Sequence, residues 1–487
     1  MKLRKISQNL HFILCSTLCS ILLGVLLVPD FIVLLLGGLL LVTILLEFLK
    51  FILWRAPRNM ARQLPNKATP LVSIHLAIYN EPAPMVITTI KHILNQDYRN
   101  YELIVIDNNT TDATLWKPVA DFCKAHDKVR FFHLSNWPFY KSGALNFARK
   151  VTAPKASHIF ILDADYTLNA TAIGTAISSI GHRKIALIQF PQSYRYTTLE
   201  QLPILEEFNH FFNFYCTMAN KCYGALATGT LSLITITALD AVGGWPTNSI
   251  TEDAELGSRL QSAGYHIKFD NRIIGTGIAP IHQQDFYEQR KRWIFGNIQS
   301  LSRYAVSPFR PFHKWTSAVS QLTAWTNLLG FPLLCLVGCL LLFPFIATPT
   351  LHGIYTLSYA SLWVCSIAKY SQVLLVQKNK PLVALHTFLV HFSSLSIAAF
   401  YWWPVVLGHK KPFIKTNKAT RNATYTVNLF YPVLHLSLLF FGLFFNDFFL
   451  SVSGISFFII HLLSSYFDCS FRNKHFKNIS LSLKIIS

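Results

Sequence analysis

Four short stretches of this chain carry residues suited to phosphate, metal and sugar chemistry. Asp163-Ala164-Asp165 follows the apolar run Ile159–Leu162. Two carboxylates two positions apart at a strand end both reach one divalent cation if the chain turns there, and Mg2+ commonly takes one or two carboxylates plus substrate phosphates. Thr251-Glu252-Asp253 opens a helical stretch, Ala254–Ala263, and offers Asp253 as a general base. Gln289-Arg290-Lys291-Arg292-Trp293 is helical in pattern, with Gln289, Arg292 and Trp293 on one face. A guanidinium there can clamp a pyrophosphate, and an indole can stack on a sugar ring. Lys141-Ser142-Gly143-Ala144-Leu145-Asn146 sets a cation and a glycine at a helix start, where backbone N–H groups suit phosphate. Taken singly, each has a plainer explanation: a solvated turn, a capped helix N-terminus with acids on its dipole, a basic membrane-proximal helix, a surface lysine.

The elements that must carry these residues are short β-rich runs alternating with helical ones. Leu71–Tyr79, Tyr101–Ile106, Val129–His133 and His158–Leu162 read as strands. Helical stretches lie between them, ending near Gln96, at Ala113–Ala125 and at Gly143–Arg149. This alternation predicts βαβ units and a mostly parallel sheet. In such sheets ligands bind beyond the carboxyl ends of the strands, which is where Asp107 and Asp163 fall.

Both flanks of this middle segment are apolar. The chain has 487 residues, 52% hydrophobic and only 14% charged, with 43 Lys+Arg against 23 Asp+Glu for a net charge of +20. That composition excludes disorder and departs from an ordinary soluble domain, where about 25% of residues are charged. Leu10–Val28 and Phe31–Leu49 each approach the roughly 20 residues a bilayer requires. Arg55, Arg58, Arg62 and Lys67 follow them, so the positive-inside rule puts both ends and the middle segment in the cytoplasm. Leu322–Ile346 and Tyr355–Val376, joined by an Ala347–Gly353 loop, form a second hairpin, and Val427–Phe445 with Phe448–Tyr466 a third. Leu382–Leu407 lies between two lysine clusters and reads as an interfacial or re-entrant helix. Lys369, inside the fourth span, is either functional or snorkels to the cytosolic face. The expected domains are a 1–54 hairpin, a 55–300 cytosolic domain, a 301–321 interfacial helix, a 322–377 hairpin, a 378–424 interfacial segment and a 425–487 hairpin with a basic tail. No basic stripe with interleaved aromatics speaks for nucleic acid, and nine scattered cysteines suit a reducing compartment.

In order and spacing, Asp107, Lys141, Asp163 with Asp165, Asp253, and Gln289 with Arg292 and Trp293 resemble the family-2, GT-A fold glycosyltransferases. Within these they resemble the membrane-embedded cellulose, chitin and hyaluronan synthase branch. Val105–Thr114 and Lys141–Ala148 look most like bacterial β-glucan synthase-type members. Lys411–Lys418 looks like the Phe-x-Val-Thr-x-Lys gating loop of the cellulose synthase group, with Phe413, Thr416 and Lys418 in register. Asp107-Asn108-Asn109 stands where the family often has Asp-Asp-Gly/Ser.

The resemblance implies an α/β GT-A (Rossmann-like) cytosolic domain with an α-helical transmembrane bundle, in the cell membrane. Asp107, Lys141, Asp163, Gln289 and Arg292 would bind a nucleotide sugar, a UDP-sugar and by our reading UDP-glucose. Asp165 with Asp163 would hold Mg2+ or Mn2+. Asp253, with Glu252 beside it, would be the base in an inverting transfer, and Trp293 would hold the acceptor. Phe413, Thr416 and Lys418 would close over the nucleotide. The acceptor would be a growing polysaccharide or, as the alternative, a lipid receiving one sugar. An inactive transporter-like protein is the remaining alternative.

Overall fold

The structure is a computed structural model that describes residues 69–180, 185–195, 202–221, 224–280, 283–304, 312–325, 348–377, 380–394, 401–406 and 430–464, with further positions within 37–52 and 332–338 and at 397 and 408. Most of the expected N-terminal hairpin and the whole Lys411–Lys418 segment lie outside the described residues.

The middle segment folds around a seven-stranded sheet. Its strands are β1 (Val72–Ile78), β2 (Tyr101–Asn108), β3 (Val129–Leu134), β4 (His158–Asp163), β6 (Ile185–Gln189), β8 (Ser232–Thr235) and β9 (His266–Phe269), in the order β3-β2-β1-β4-β8-β6-β9. Runs such as Leu103-Ile104-Val105-Ile106 are fully buried because helices cover both faces. Leu103 and Val105 pack with Leu76, Phe160 and Leu162 on one face, and Ile104 and Ile106 with Ala144 and Ala148 on the other. The parallel expectation holds for β3-β2-β1-β4. It fails at β8, which runs antiparallel to β4 and β6. The loop through Gly229 and Thr230 already lies at the carboxyl end of β4, so the chain enters β8 from that end and must run back. A small second sheet, β5 (Thr167–Leu168), β10 (Gly275–Ile278) and β7 (Ser193–Arg195), stands beyond the same carboxyl ends.

The rest is helical. Leu202–His210 runs into a π-helical turn, Phe211–Cys216, and then Thr217–Lys221. Gln283–Tyr304, Phe312–Leu322, Thr348–Val376, Pro381–Ser393, Phe430–Phe444 and 448–464 follow. The expected Ala347–Gly353 loop is corrected: the chain is helical from Thr348, because Pro349 in a first turn costs no hydrogen bond and Gly353 is tolerated inside a long helix. Lys369 does not snorkel; it is 4% exposed and its ammonium lies 5.7 Å from the Tyr215 ring centre. Among the described residues no helix is long and apolar enough to cross a membrane. Even so, large apolar side chains face outward along the last two helices, among them Phe440, Leu443, Phe444, Phe448, Ile455 and Ile459.

Candidate active site

Beyond the carboxyl ends of β1, β2 and β4 lies a cavity of about 300 Å³. Lys141, Asp163, Asp165, Glu252, Asp253, Gln289, Arg292 and Trp293 all line it. Residues separated by some 150 positions in sequence therefore share one space.

Local structure fixes each of them. β4 ends at Asp163, whose N–H donates to Thr230 Oγ1 at 2.9 Å. Lys141 sits in the first turn of helix Tyr140–Val151, entered through Asn136, Phe139 and Tyr140, all at positive φ. Gly143 is required there, because a Cβ would stand 1.9 Å from the Pro138 carbonyl oxygen. The Lys141 ammonium donates to Asp163 Oδ1 at 2.5 Å and to the Gly229 carbonyl at 3.3 Å, and lies 3.9 Å from Glu252 Oε1. Burial opposes its charge, but the Asp163 and Glu252 carboxylates outweigh that and hold its pKa above the usual lysine range. Asp165 is 3% exposed; its Oδ2 accepts the Ile278 N–H at 3.2 Å, so the small sheet holds it in place.

Asp253 lies in the first turn of helix Glu252–Ser262. Thr251 occupies the cap position, yet its side chain makes no capping bond. It packs instead against Gly296 of helix Gln283–Tyr304, where a Cβ would come within 2.5 Å of Thr251 Oγ1. Gly229, at φ +91°, curves the backbone past Asp253, leaving its Oδ2 3.0 Å from the position of an added Cβ. Burial first, and then the like charge of Glu252, push the Asp253 carboxyl up to about 7, against the pull of Lys141 and local N–H groups. That value suits a base working near neutrality.

Helix Gln283–Tyr304 presents Gln289, Arg292 and Trp293 to the cavity, as their spacing predicts. Arg292 faces Glu252, Asp163 and Asp253; burial lowers its pKa and the three acids oppose that. Gln289 Oε1, Asn108 Oδ1 and Thr228 Oγ1 are buried in the cavity wall with no hydrogen-bond partner among the described residues. Buried polar atoms of this kind mark where a ligand or water completes the bonding.

Asp107 is placed differently from expectation. Its side chain is 1% exposed and does not line the cavity. Oδ1 accepts from Thr110 Oγ1 at 2.5 Å, and Oδ2 pairs with His133 Nδ1 at 2.6 Å. The cause is register: Asp107 lies opposite His133 in the β2–β3 pair. Asn108 and Asn109 reach the cavity in its stead. Tyr79, Glu81, Gln192 and Tyr194 also line it and were not anticipated. Tyr79-Asn80-Glu81 was findable, since it follows the carboxyl end of β1; Gln192 and Tyr194 carry no sequence signal.

For a divalent cation the chain offers Asp163 and Asp165. Among the described residues no group of three or more His, Cys, Asp or Glu gathers as a metal site. Two carboxylates with substrate phosphates supplying the remaining oxygens fit Mg2+ or Mn2+ chemistry. A smaller recess of about 70 Å³ shares Asp253, Thr251 and Trp293 with the main cavity, and its far wall is apolar, with Phe208, Phe211, Leu226, Leu322 and Trp325.

Residues 158–467 match the model of glycosyl transferase family group 2. The β-monoglucosyldiacylglycerol synthase of Nostoc sp. is 25% identical over 269 residues, 52% of this chain and 54% of that protein. The poly-β-1,6-N-acetyl-D-glucosamine synthase of Staphylococcus epidermidis is 27% identical over 237 residues, 48% of this chain and 56% of that protein. The chain thus spans little more than half the length of these relatives. A solved mannosyltransferase from Pyrobaculum calidifontis, in complex with GDP-mannose and Mn2+, aligns with a TM-score of 0.49 at 16% identity, covering 78% of this chain and 98% of that one.

Proposed function

Since the chain belongs to glycosyl transferase family group 2, we propose that it transfers a sugar from a nucleotide sugar, UDP-glucose by our reading, to a growing polysaccharide at the membrane. The observation that carries this is the convergence of Asp163, Asp165, Asp253, Arg292 and Trp293 on one cavity.

In this mechanism Lys141 and Arg292 lie against the diphosphate and offset the charge that develops on it as it leaves, with Gln289 beside them. Preorganised cations in a dry site are worth several kcal/mol to a transition state. Asp163 and Asp165 would hold Mg2+ or Mn2+, which supplies further positive charge to the leaving group. Asp253 takes the proton from the acceptor hydroxyl. The acceptor oxygen forms its bond to the anomeric carbon on the face opposite the leaving group. The carbon–oxygen bond to the diphosphate breaks, and its electron pair leaves with the nucleotide. Configuration inverts, to a β-linkage. Trp293, between the main cavity and the recess, stacks on the acceptor. Glu252 raises the basicity of Asp253 and pairs with Lys141. Asp107 acts indirectly, fixing the end of β2 from which Asn108 reaches the cavity.

Membrane attachment belongs to the same reading. The outward Phe440, Phe444 and Phe448 suit lipid, and the basic clusters at Arg55–Lys67 and Lys410–Arg421 suit a cytosolic catalytic domain. Helix Pro381–Ser393, at 13 residues, is too short to span and suits the interface. Phe413, Thr416 and Lys418 are proposed to cover the nucleotide, by resemblance alone. The apolar wall of the recess favours a second reading, addition of one sugar to a lipid. Radiolabelled transfer by detergent-solubilised chain, from a panel of nucleotide sugars, tests both readings. Glycosidase-sensitive polymer is expected; one sugar per lipid selects the second reading, and no transfer from any donor overturns the assignment.

A further inference from the structure

Arg290 lies within the motif that carries Gln289, Arg292 and Trp293, yet it does not line the cavity. It is 2% exposed. Its guanidinium carbon stands 3.5 Å from the ring centre of Trp325, 4.5 Å from Phe286, 4.6 Å from Phe208 and 4.9 Å from Trp293. Among the described residues Nε, Nη1 and Nη2 have no hydrogen-bond partner. A cation buried this deeply without hydrogen bonds is costly, and an apolar side chain of similar size would fill the space without that cost. Packing alone therefore does not account for an arginine here.

Its charge is answered at a distance. Burial lowers the Arg290 pKa to about 9, and the Glu207 carboxylate favours its charged form. Glu207 is 3% exposed, and its Oε1 meets His391 Nδ1 at 3.0 Å. Lys369 also acts on Glu207. One buried carboxylate thus stands among two cations, and the cluster ties helix Leu202–His210 to helices Thr348–Val376 and Pro381–Ser393. Three of the four rings around Arg290 (Phe208, Trp293 and Trp325) also wall the recess beside Asp253. Trp293 is the one that belongs to the catalytic cavity as well.

We propose that Arg290 is a positioning residue for acceptor binding: caged by Phe208, Phe286, Trp293 and Trp325 and offset by Glu207, it fixes the Trp293 indole at the junction of cavity and recess. This rests on the transferase reading above. A desolvated cation held against an aromatic face binds it strongly, and Trp293 without it is freer to leave the orientation that the acceptor needs. Donor binding, at Lys141, Asp163 and Arg292, does not depend on it.

The test uses the full chain in detergent, UDP-glucose as donor, and diacylglycerol or a cello-oligosaccharide as acceptor, whichever the wild type uses. Arg290→Met is expected to raise the acceptor KM about tenfold, with UDP affinity by calorimetry within about twofold of wild type. Arg290→Lys, which keeps charge without the planar fork, is expected to recover part of the loss. Glu207→Gln is expected to shift the acceptor KM in the same direction, and less than additively with Arg290→Met. An unchanged acceptor KM in Arg290→Met overturns the proposal. A parallel loss of UDP affinity also overturns it, since that reports general disruption of the site. A wild type that transfers to neither acceptor from any donor in the panel removes the transferase reading itself.

Discussion

The carboxylates of this cavity differ in their state because their surroundings differ. Asp163 is partly open and already paired with Lys141, whereas Asp253 is enclosed beside Glu252 and has its pKa raised to about 7. Asp253→Asn is expected to lower transfer by about 10²–10⁴-fold, the usual worth of a general base, with UDP affinity retained; near-wild-type turnover would remove the base assignment. The pH dependence has a definite sign. A base with this pKa gains its working form as pH rises, so kcat/KM should climb between pH 6 and 8. Stability runs the other way. A carboxyl raised in the folded state contributes stability fully below its unfolded value near 3.8, and that contribution is lost as pH rises through about 7. Asp253→Asn should therefore gain in melting temperature on wild type as pH rises from about 4 to 8, with the difference vanishing only below the unfolded pKa. Asp165→Ala should abolish the gain in UDP affinity that Mg2+ gives the wild type, and equal affinity with and without Mg2+ in the wild type would reject the metal reading. The acids were legible because they stand at strand ends and a helix start. The inward turn of Asp107 was not, because it depends on which residue of β3 lies opposite, a pairing that no local pattern of β2 encodes.

At the scale of elements, the βαβ alternation read directly from the sequence, since apolar strands and amphipathic helices differ in period. The three short strands of the second sheet did not, being two to four residues long. They matter nonetheless, because β10 supplies the Ile278 N–H that fixes Asp165. The long helix Gln283–Tyr304 approaches the start of helix Glu252–Ser262 closely at Gly296, against Thr251. Gly296→Ala should push the helix from Thr251, costing about 1–3 kcal/mol as overpacking and lowering kcat more than UDP affinity, because Trp293 and Arg292 ride on that helix. A thermal melt with parallel kinetics checks both. Wild-type behaviour in both would mean that the contact sets nothing. The glycine itself gave no such warning in the sequence, where it stands as an ordinary residue in a helical pattern.

For the molecule as a whole, the sequence placed apolar flanks around an α/β core, and Phe440, Phe444 and Phe448 stand exposed on the last two helices. Cysteine substitution at Phe440 in reconstituted vesicles should resist a water-soluble maleimide, whereas the same change at Ile273, exposed on the catalytic half, should label quickly. Equal labelling would argue against burial in the bilayer. Lys369 stood out in the sequence as a cation in an apolar run, but its partner Glu207 did not, because it lies more than 150 positions away and belongs to no motif. The grip of Lys141 on Asp163 carries a last consequence. A bare magnesium ion arriving at this acid meets a charge already neutralised, and an inorganic phosphate arriving at the lysine meets a cation already satisfied. A magnesium-bearing diphosphate relieves both at once, exchanging a single internal attachment for two external ones. On the proposed transferase reading, linkage then makes each half of that visitor favour the other, so diphosphate and metal are expected to bind with positive cooperativity.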